Sequence, residues 1–398
     1  MSRTDDPTVK GFRFAAMASG LKKNQALDLG LIVSERPAQC AGVFTANRVV
    51  AAPLQVSAPR VRAGQCQAIL VNSKNANACT GQAGLADANA CSSALAEVLD
   101  LDNDLIAIAS TGVIGQRLDV GKIVTALPEL RDNLSPDAAG DVAEAMMTTD
   151  SFSKVSAAFG AVADTGYAIL GLAKGAGMIH PNMATMLGFV MTDVGISSAL
   201  LDKALRQAVD QTFNRITVDR DTSTNDMVLL LANGATGAVI DSEGDDFEIF
   251  VRLLQEVLLD LAKMIVSDGE GATKLVKIEV TGAADDNDGL QAATAIATSN
   301  LVKTAFFGED ANWGRIIAAV GYSGAEVDPD KVSISFDGVM VAENGLAGSA
   351  EQEAAATAVM KLPEFTVTVD LGLGNGSAFY YTSDLTYDYV KINADYRT

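Results

Sequence analysis

One histidine, His180, limits what the hydroxyls and thiols of this chain can become. A Ser-His-Asp site could be built in only one way, and a multi-histidine metal cluster not at all. A hydroxyl nucleophile still needs a base, and Thr185 has a second route to one. It lies in the run Gly175-Ala176-Gly177-Met178-Ile179-His180-Pro181-Asn182-Met183-Ala184-Thr185-Met186-Leu187. If the peptide bond between Ala184 and Thr185 is cut, the new α-amine of Thr185 can take the proton of its own hydroxyl. Such an amine has a pKa of about 8, so much of it is neutral near physiological pH. The glycine-rich segment before Thr185 and the apolar residues after it (Met186, Leu187, Phe189, Val190, Met191) would hold a cut site inside a packed core. The competing reading is plain: threonine in an apolar segment is usually a strand residue.

Other segments could serve such a nucleophile. Thr111-Gly112 lies in the loop Ser110-Thr111-Gly112-Val113-Ile114-Gly115 after an apolar run. A loop of this kind can aim a hydroxyl or backbone N–H at a developing oxyanion, worth about 3–4 kcal/mol per donor; the pattern alone is weak, and a simple turn is its commoner explanation. Lys174 stands eleven residues before Thr185. A lysine in an apolar segment is costly unless paired, so it either meets a substrate carboxylate or reaches solvent at a loop edge. Glu270, in Ser267-Asp268-Gly269-Glu270-Gly271-Ala272-Thr273-Lys274, follows a long helical pattern. The helix dipole disfavours an acid there, so Glu270 needs a partner, such as a substrate ammonium, unless the segment is only a loop boundary. Phosphate binding is less attractive, because these glycines follow a helix rather than open one. Residues 213–226 are dense in groups that bond their own backbone, either a site wall or a well-capped loop. Thr148, in Met147-Thr148-Thr149-Asp150, carries little signal by itself.

Composition sets the frame. The 398 residues can bury a large core, and a charge of −21 disfavours nucleic acid and anionic membrane as partners. No apolar stretch approaches the ~18 residues of a spanning helix, and the first residues lack a signal-peptide core, so a cytoplasmic location is expected. Cys40, Cys66, Cys79 and Cys91 form no C-x-x-C pair and read as small buried residues of a reducing compartment rather than zinc ligands.

The elements that must position these residues mix strands and helices without a regular βαβ rhythm, which predicts an α+β layered fold. Strands are expected at 28–33, 68–71, 105–109, 155–162 and 167–172. Helices are expected at 87–99, 119–127 and 136–147. An amphipathic helix over 197–213 repeats Leu200, Leu201, Ala204, Leu205, Ala208 and Val209 at helical spacing, with Ser197 or Ser198 as N-cap. A second covers 247–265, and Val276, Ile278 and Val280 alternate as a strand with one wet face. From about 285 to 398 the pattern changes, as in a smaller C-terminal domain: a short helix at 313–320, then strands at 332–336, 365–371 and 377–381. Val390 and Ile392 alternate as a last strand would.

Eleven motifs, in order along the whole chain, resemble the ornithine acetyltransferase family (glutamate N-acetyltransferases of arginine biosynthesis). They include GFRFAA, VFTANRV, NANACTG, STGVIG, MTTD, KGAGM, PNMATML, DTSTND, DGEGATK, FGEDANWGRI and the C-terminal YVKINADYRT. The resemblance implies an αββα-type sandwich with a smaller C-terminal α/β domain. It implies self-cleavage between Ala184 and Thr185 into fragments 1–184 and 185–398, assembled as a heterotetramer of two copies of each. Thr185 becomes the catalytic nucleophile, Thr111 and Gly112 the oxyanion hole, and Thr148, Lys174, Glu270, Asn393 and Thr398 substrate contacts. The implied reaction carries the acetyl group of N2-acetyl-L-ornithine to L-glutamate through an acetyl-threonine. No metal or bound cofactor is implied, and acetyl-CoA stays open as a second donor.

Two other classes fit the residues. One is a self-processed N-terminal-threonine aminopeptidase or amidohydrolase of related fold, with water as acceptor. The other is a binding protein whose glycine-rich loops cradle a small anion. The sequence departs from the family pattern at Lys74 and Arg220, where glycine is expected. If either backbone needs φ above zero, its turn is strained. His180 also stands at a position expected to vary.

Overall fold

The computed structural model describes residues 8–180 and 186–395. It divides into two compact units: residues up to Asn214 with Asp221–Ile265, and Arg215–Arg220 with Val266 onward. In chain order the first stretch comprises β1 (Phe12–Met17), β2 (Leu29–Phe44), α1 (Ala52–Arg62), β3 (Gln65–Asn72), α2 (Gly81–Leu99) and β4 (Ile106–Ser110). Then come α3 (Val120–Asp132), α4 (Ala139–Met146), β5 (Lys154–Val162), β6 (Thr165–Lys174), β7 (Leu187–Thr192) and β8 (Gly195–Ile196). α5 (Ser198–Asp210), β9 (Ile216–Thr217), β10 (Met227–Ala232), β11 (Val239–Ile240) and α6 (Asp245–Ser267) follow.

Among the described residues of the first unit, eight strands share one sheet in the order β4-β3-β2-β10-β7-β6-β5, with β1 on the far side of β2's first half. β2 is the hinge of this sheet. Its first residues pair with β3 and its last with β10, and the register breaks between Val33 and Ala38. The side chains record the fold-over. Ile69, Val71, Ala107 and Ala109 of β3 and β4 share one core with Leu170, Leu172, Phe189, Leu229 and Leu231 of β6, β7 and β10. The alternate residues Ala68, Leu70, Ile106 and Ile108 point the other way, against Cys91 and Leu95 of α2 and Leu127 and Leu130 of α3. On the far layer, Gly171 of β6 lets α6 lie close: a Cβ there would come within 2.7 Å of Val257 and Leu261. The result is α+β, helix layers outside two sheet layers. The strand expected over 28–33 runs on to Phe44. Glu35, Arg36 and Pro37 end the apolar run but occupy the exposed bulge instead of ending the strand.

The second unit continues with β12 (Leu275–Ala283), α7 (Asp286–Thr298), α8 (Asn300–Phe307), α9 (Trp313–Gly321), β13 (Ser333–Phe336) and β14 (Val339–Glu343). β15 (Leu346–Ala347), α10 (Ala350–Val359), β16 (Glu364–Asp370), β17 (Gly376–Ser383) and α11 (Tyr387–Asp395) complete it. Its sheet runs β15-β14-β13-β16-β12-β17-β9, packed through Val276, Ile278 and Val280 against Ile296, Phe306 and Ile316. The strand expected around Val390 and Ile392 is a helix, α11, and Val390 is 64% exposed. The Thr386 hydroxyl accepts the Tyr389 N–H at 3.3 Å and so opens a helical turn, and two alternating apolar residues do not outweigh that. The cysteine reading needs one correction: Cys40, Cys66 and Cys91 are buried, but Cys79 is exposed, at a backbone φ of 56°. No helix among the described residues is long and apolar enough to cross a membrane.

Candidate active site

Ala184, Thr185 and Thr398 lie outside the described residues, which begin again at Met186. Met186 leads into β7, whose first residue, Leu187, pairs with Lys174 at the end of β6. The parallel neighbour β10 fixes the same point, because Met227 N–H donates to the Met186 carbonyl at 3.1 Å. The apolar strands β7 and β10, buried at every position, carry the chain to this edge.

Lys174 and Thr111 meet there. Lys174 Nζ donates to Thr111 Oγ1 at 3.2 Å, and both residues are buried. Five strand spacings of about 4.8 Å separate β4 from β6 along the sheet, so only the fold-over at β2 allows this contact. The Thr111 N–H is already given to the Asn72 carbonyl at 3.0 Å. Its hydroxyl, accepting from Lys174, keeps its proton to donate elsewhere. Gly112 has φ of 130°, and a Cβ would sit 2.2 Å from the Lys74 carbonyl carbon, so the position accepts only glycine.

A buried amide network holds this loop. Ser110 Oγ donates to Asn72 Oδ1 at 2.6 Å, and Asn72 Nδ2 reaches the Asn75 carbonyl at 3.0 Å. Asn225 Nδ2 donates to the carbonyls of Ala76 at 2.6 Å and Ser110 at 2.8 Å. Asn225 thus explains part of the 213–226 segment: it ties that segment to the residue before Thr111. None of these amides was singled out in the sequence, because each works through a partner tens of residues away.

Thr148 and Lys174 are linked through Asp150, which closes the Met147-Thr148-Thr149-Asp150 motif but drew no role there. Asp150 Oδ2 accepts the Thr148 N–H at 2.9 Å, and Oδ1 accepts the Gly175 N–H at 2.6 Å and Lys154 Nζ at 2.9 Å. The side chains of Asp150 and Lys154 are both fully buried. Burial would raise the Asp150 pKa, but the Lys174 and Lys154 ammoniums outweigh it and bring it to about 2. This carboxylate fixes the backbone of Gly175, next to Lys174, and of Thr148.

In the second unit, Glu270 and Asn393 find each other. Glu270 is 8% exposed, and its Oε2 accepts from Asn393 Nδ2 at 2.8 Å. The partner demanded by the helix end is an amide of α11. Gly271 (φ 69°) makes the approach possible, since a Cβ would lie 2.6 Å from the Tyr389 nitrogen. Lys74 and Arg220, standing where glycine was expected, do adopt left-handed backbone, at φ of 78° and 70°.

The ArgJ family pattern matches residues 13–398. A protein of Syntrophotalea carbinolica, described as arginine biosynthesis bifunctional protein ArgJ, is 61% identical over 394 residues, 98% of this chain and 99% of that one. One of Geobacter sulfurreducens with the same description is 52% identical over 391 residues, 98% of this chain and all of that one. Among solved structures, the crystal structure of arginine biosynthesis bifunctional protein argJ from Bacillus halodurans is similar at 46% identity and a TM-score of 0.51. The match covers 53% of this chain and 100% of that one.

Proposed function

This chain belongs to the ArgJ family of arginine-biosynthesis enzymes, and on that premise we propose that it carries the acetyl group of N2-acetyl-L-ornithine to L-glutamate through an acetyl-threonine at Thr185. The observation that carries the reading is the meeting of Lys174 Nζ and Thr111 Oγ1 at 3.2 Å, beside the strand that begins two residues after Thr185. A fixed cation and a hydroxyl proton are what a carboxylate-bearing acyl donor needs.

The precursor first cuts itself. Thr185 Oγ attacks the Ala184 carbonyl, the acyl group shifts from nitrogen to oxygen, and water hydrolyses the ester to give fragments 1–184 and 185–398. The Bacillus halodurans chain, matched along its full length by about half of this one, agrees in size with such a fragment. The freed α-amine of Thr185 then takes its hydroxyl proton as Oγ attacks the acetyl carbonyl. The Thr111 hydroxyl and Gly112 N–H stabilise the oxyanion, and ornithine leaves with the proton. Glutamate's α-amine takes the acetyl group by the reverse path, so the kinetics are ping-pong. Lys174 holds the α-carboxylate that both substrates share, and Thr148, Glu270, Asn393 and Thr398 are further substrate contacts. The cleaved pair assembles as a heterotetramer, and no metal or bound cofactor takes part.

The test is acetyl transfer from labelled N2-acetylornithine. Label appearing in N-acetylglutamate only when glutamate is added supports the reading. Free acetate formed equally without glutamate would identify a hydrolase instead. A parallel assay with acetyl-CoA and glutamate alone asks whether the same site accepts a second donor.

A further inference from the structure

Asp226, one residue before β10, is a carboxylic acid that the mechanism above does not use. It is 4% exposed, and its Oδ2 has no hydrogen-bond partner among the described residues. Its carboxyl accepts the backbone N–H of Met186 and bonds to the Ser223 side chain. The next residue, Met227, donates its N–H to the Met186 carbonyl at 3.1 Å, and the Asp226 carbonyl accepts the Thr45 N–H at 2.9 Å. Both backbone polar groups of Met186 are therefore held by residues 226 and 227, which are anchored in turn to β2. The Met186 N–H belongs to the peptide bond that begins at Thr185.

We propose that Asp226 is a positioning residue for the nucleophile: its buried carboxyl grips the peptide group following Thr185 and leaves the Lys174 ammonium to the substrate carboxylate. The proposal deepens the acetyl-transfer reading and rests on it.

The charges support the second half of the statement. Burial dominates at Asp226 and, despite Lys174, holds its pKa up to about 8. The facing charge is Lys174, which is itself surrounded by Asp150 and Lys154, with Lys22 and Glu144 nearby. With Asp226 protonated, the Lys174 ammonium shares Asp150 with Lys154, and a substrate carboxylate meets it without a rival charge from Asp226. Above the Asp226 pKa that rival charge forms, and Lys174 is drawn from Thr111 and the substrate. A buried acid kept uncharged costs stability at neutral pH, which an apolar or amide residue would not. Its place beside Met186 is what it serves.

The experiment compares wild type, Asp226→Asn and Asp226→Ala as full chains. Cleavage is followed by intact mass, and the KM for N2-acetylornithine is measured from pH 6.5 to 9.5. That substrate has no free α-amine to confuse the profile. Asp226→Asn keeps an oxygen acceptor for Met186 N–H and cannot ionise. It should fold and cleave as wild type does, and its KM should stay flat where the wild-type KM rises at least threefold between pH 7 and 9. Asp226→Ala loses the grip, and its cleavage should slow at least tenfold while far-ultraviolet circular dichroism stays native. Equal KM profiles in wild type and Asp226→Asn, or wild-type cleavage in Asp226→Ala, would overturn the proposal. If Asp226→Ala fails to fold, the Asp226→Asn profile alone decides. A wild-type chain that never cuts would sink the acetyl-transfer reading instead.

Discussion

Asp150 and Asp226 are alike in residue type, alike in burial, and face the same ammonium of Lys174, yet they sit at opposite ends of the carboxyl range. Asp150 has a second ammonium, Lys154, and backbone N–H donors on both oxygens, and its pKa falls to about 2. Asp226 is faced by Lys174 and has one oxygen without a partner among the described residues, and burial raises its pKa to about 8. Burial alone therefore does not decide the state of an acid; the count of donors and cations around it does. One of the two acids anchors the backbone beside Lys174, and the other, as proposed above, grips the chain that leads from Thr185.

The largest effect should come from breaking the paired acid. Asp150→Ala leaves Lys154 buried without its carboxylate and should cost about 3–5 kcal/mol in denaturant unfolding at pH 7. A loss below about 1 kcal/mol would mean the pair is not the buried bridge described. In the wild type the Asp150 contribution is present above the unfolded carboxyl pKa of about 4 and lost as pH falls toward 2, about 2–3 kcal/mol in all.

Asp226→Asn tests the other pole, with the opposite sign. An acid whose folded pKa is raised is least costly below pH 4, and its penalty grows as pH climbs to about 8. The amide should therefore stabilise the chain on the order of 3 kcal/mol at pH 7, and the gain should vanish near pH 4. Thermal melts across that range read it directly; a pH-independent difference would argue that Asp226 is ionised throughout.

Removing the charge common to both acids sharpens the contrast. Lys174→Met should lower kcat/KM for N2-acetylornithine about 10–100-fold, the worth of one charge-assisted hydrogen bond of about 1.5–3 kcal/mol. It should also move the acid limb of unfolding to higher pH, because Asp150 loses a stabilising cation. An unmoved acid limb would assign Asp150 to Lys154 alone.

The smallest effect separates backbone strain from charge. Lys74 holds φ of 78° against the Gly112 loop, and Lys74→Gly should raise stability by about 1 kcal/mol. A matched Arg220→Gly should do the same in the second unit. A lower melting temperature in either would show that the side chain does more than tolerate the turn.

What could be read from the sequence follows how local each signal is. α5 was legible to its cap: Ser197 accepts from the Leu200 N–H, and Leu201, Leu205 and Val209 are buried as their spacing required. The alternation Val276, Ile278, Val280 likewise marked β12. The extension of β2 through Pro37 and the helix α11 were not legible, since a bulge and a single hydroxyl cap decided them. Of the site, Gly112 and Lys174 were candidates by type and setting, but only the family resemblance gave them roles. Asp150, Asn225 and Asp226 were not candidates, because an acid or amide in a polar stretch shows its role only when partners distant in sequence arrive.

The central claim is that Thr185 makes its own base by cutting the chain before it. An intact-mass spectrum of the purified protein under denaturing conditions, beside a Thr185→Ala variant, tests it most directly. The account predicts two fragments from the wild type, breaking between Ala184 and Thr185, and one uncut chain from the variant. A single uncut wild-type chain that nevertheless transfers acetyl groups would contradict it.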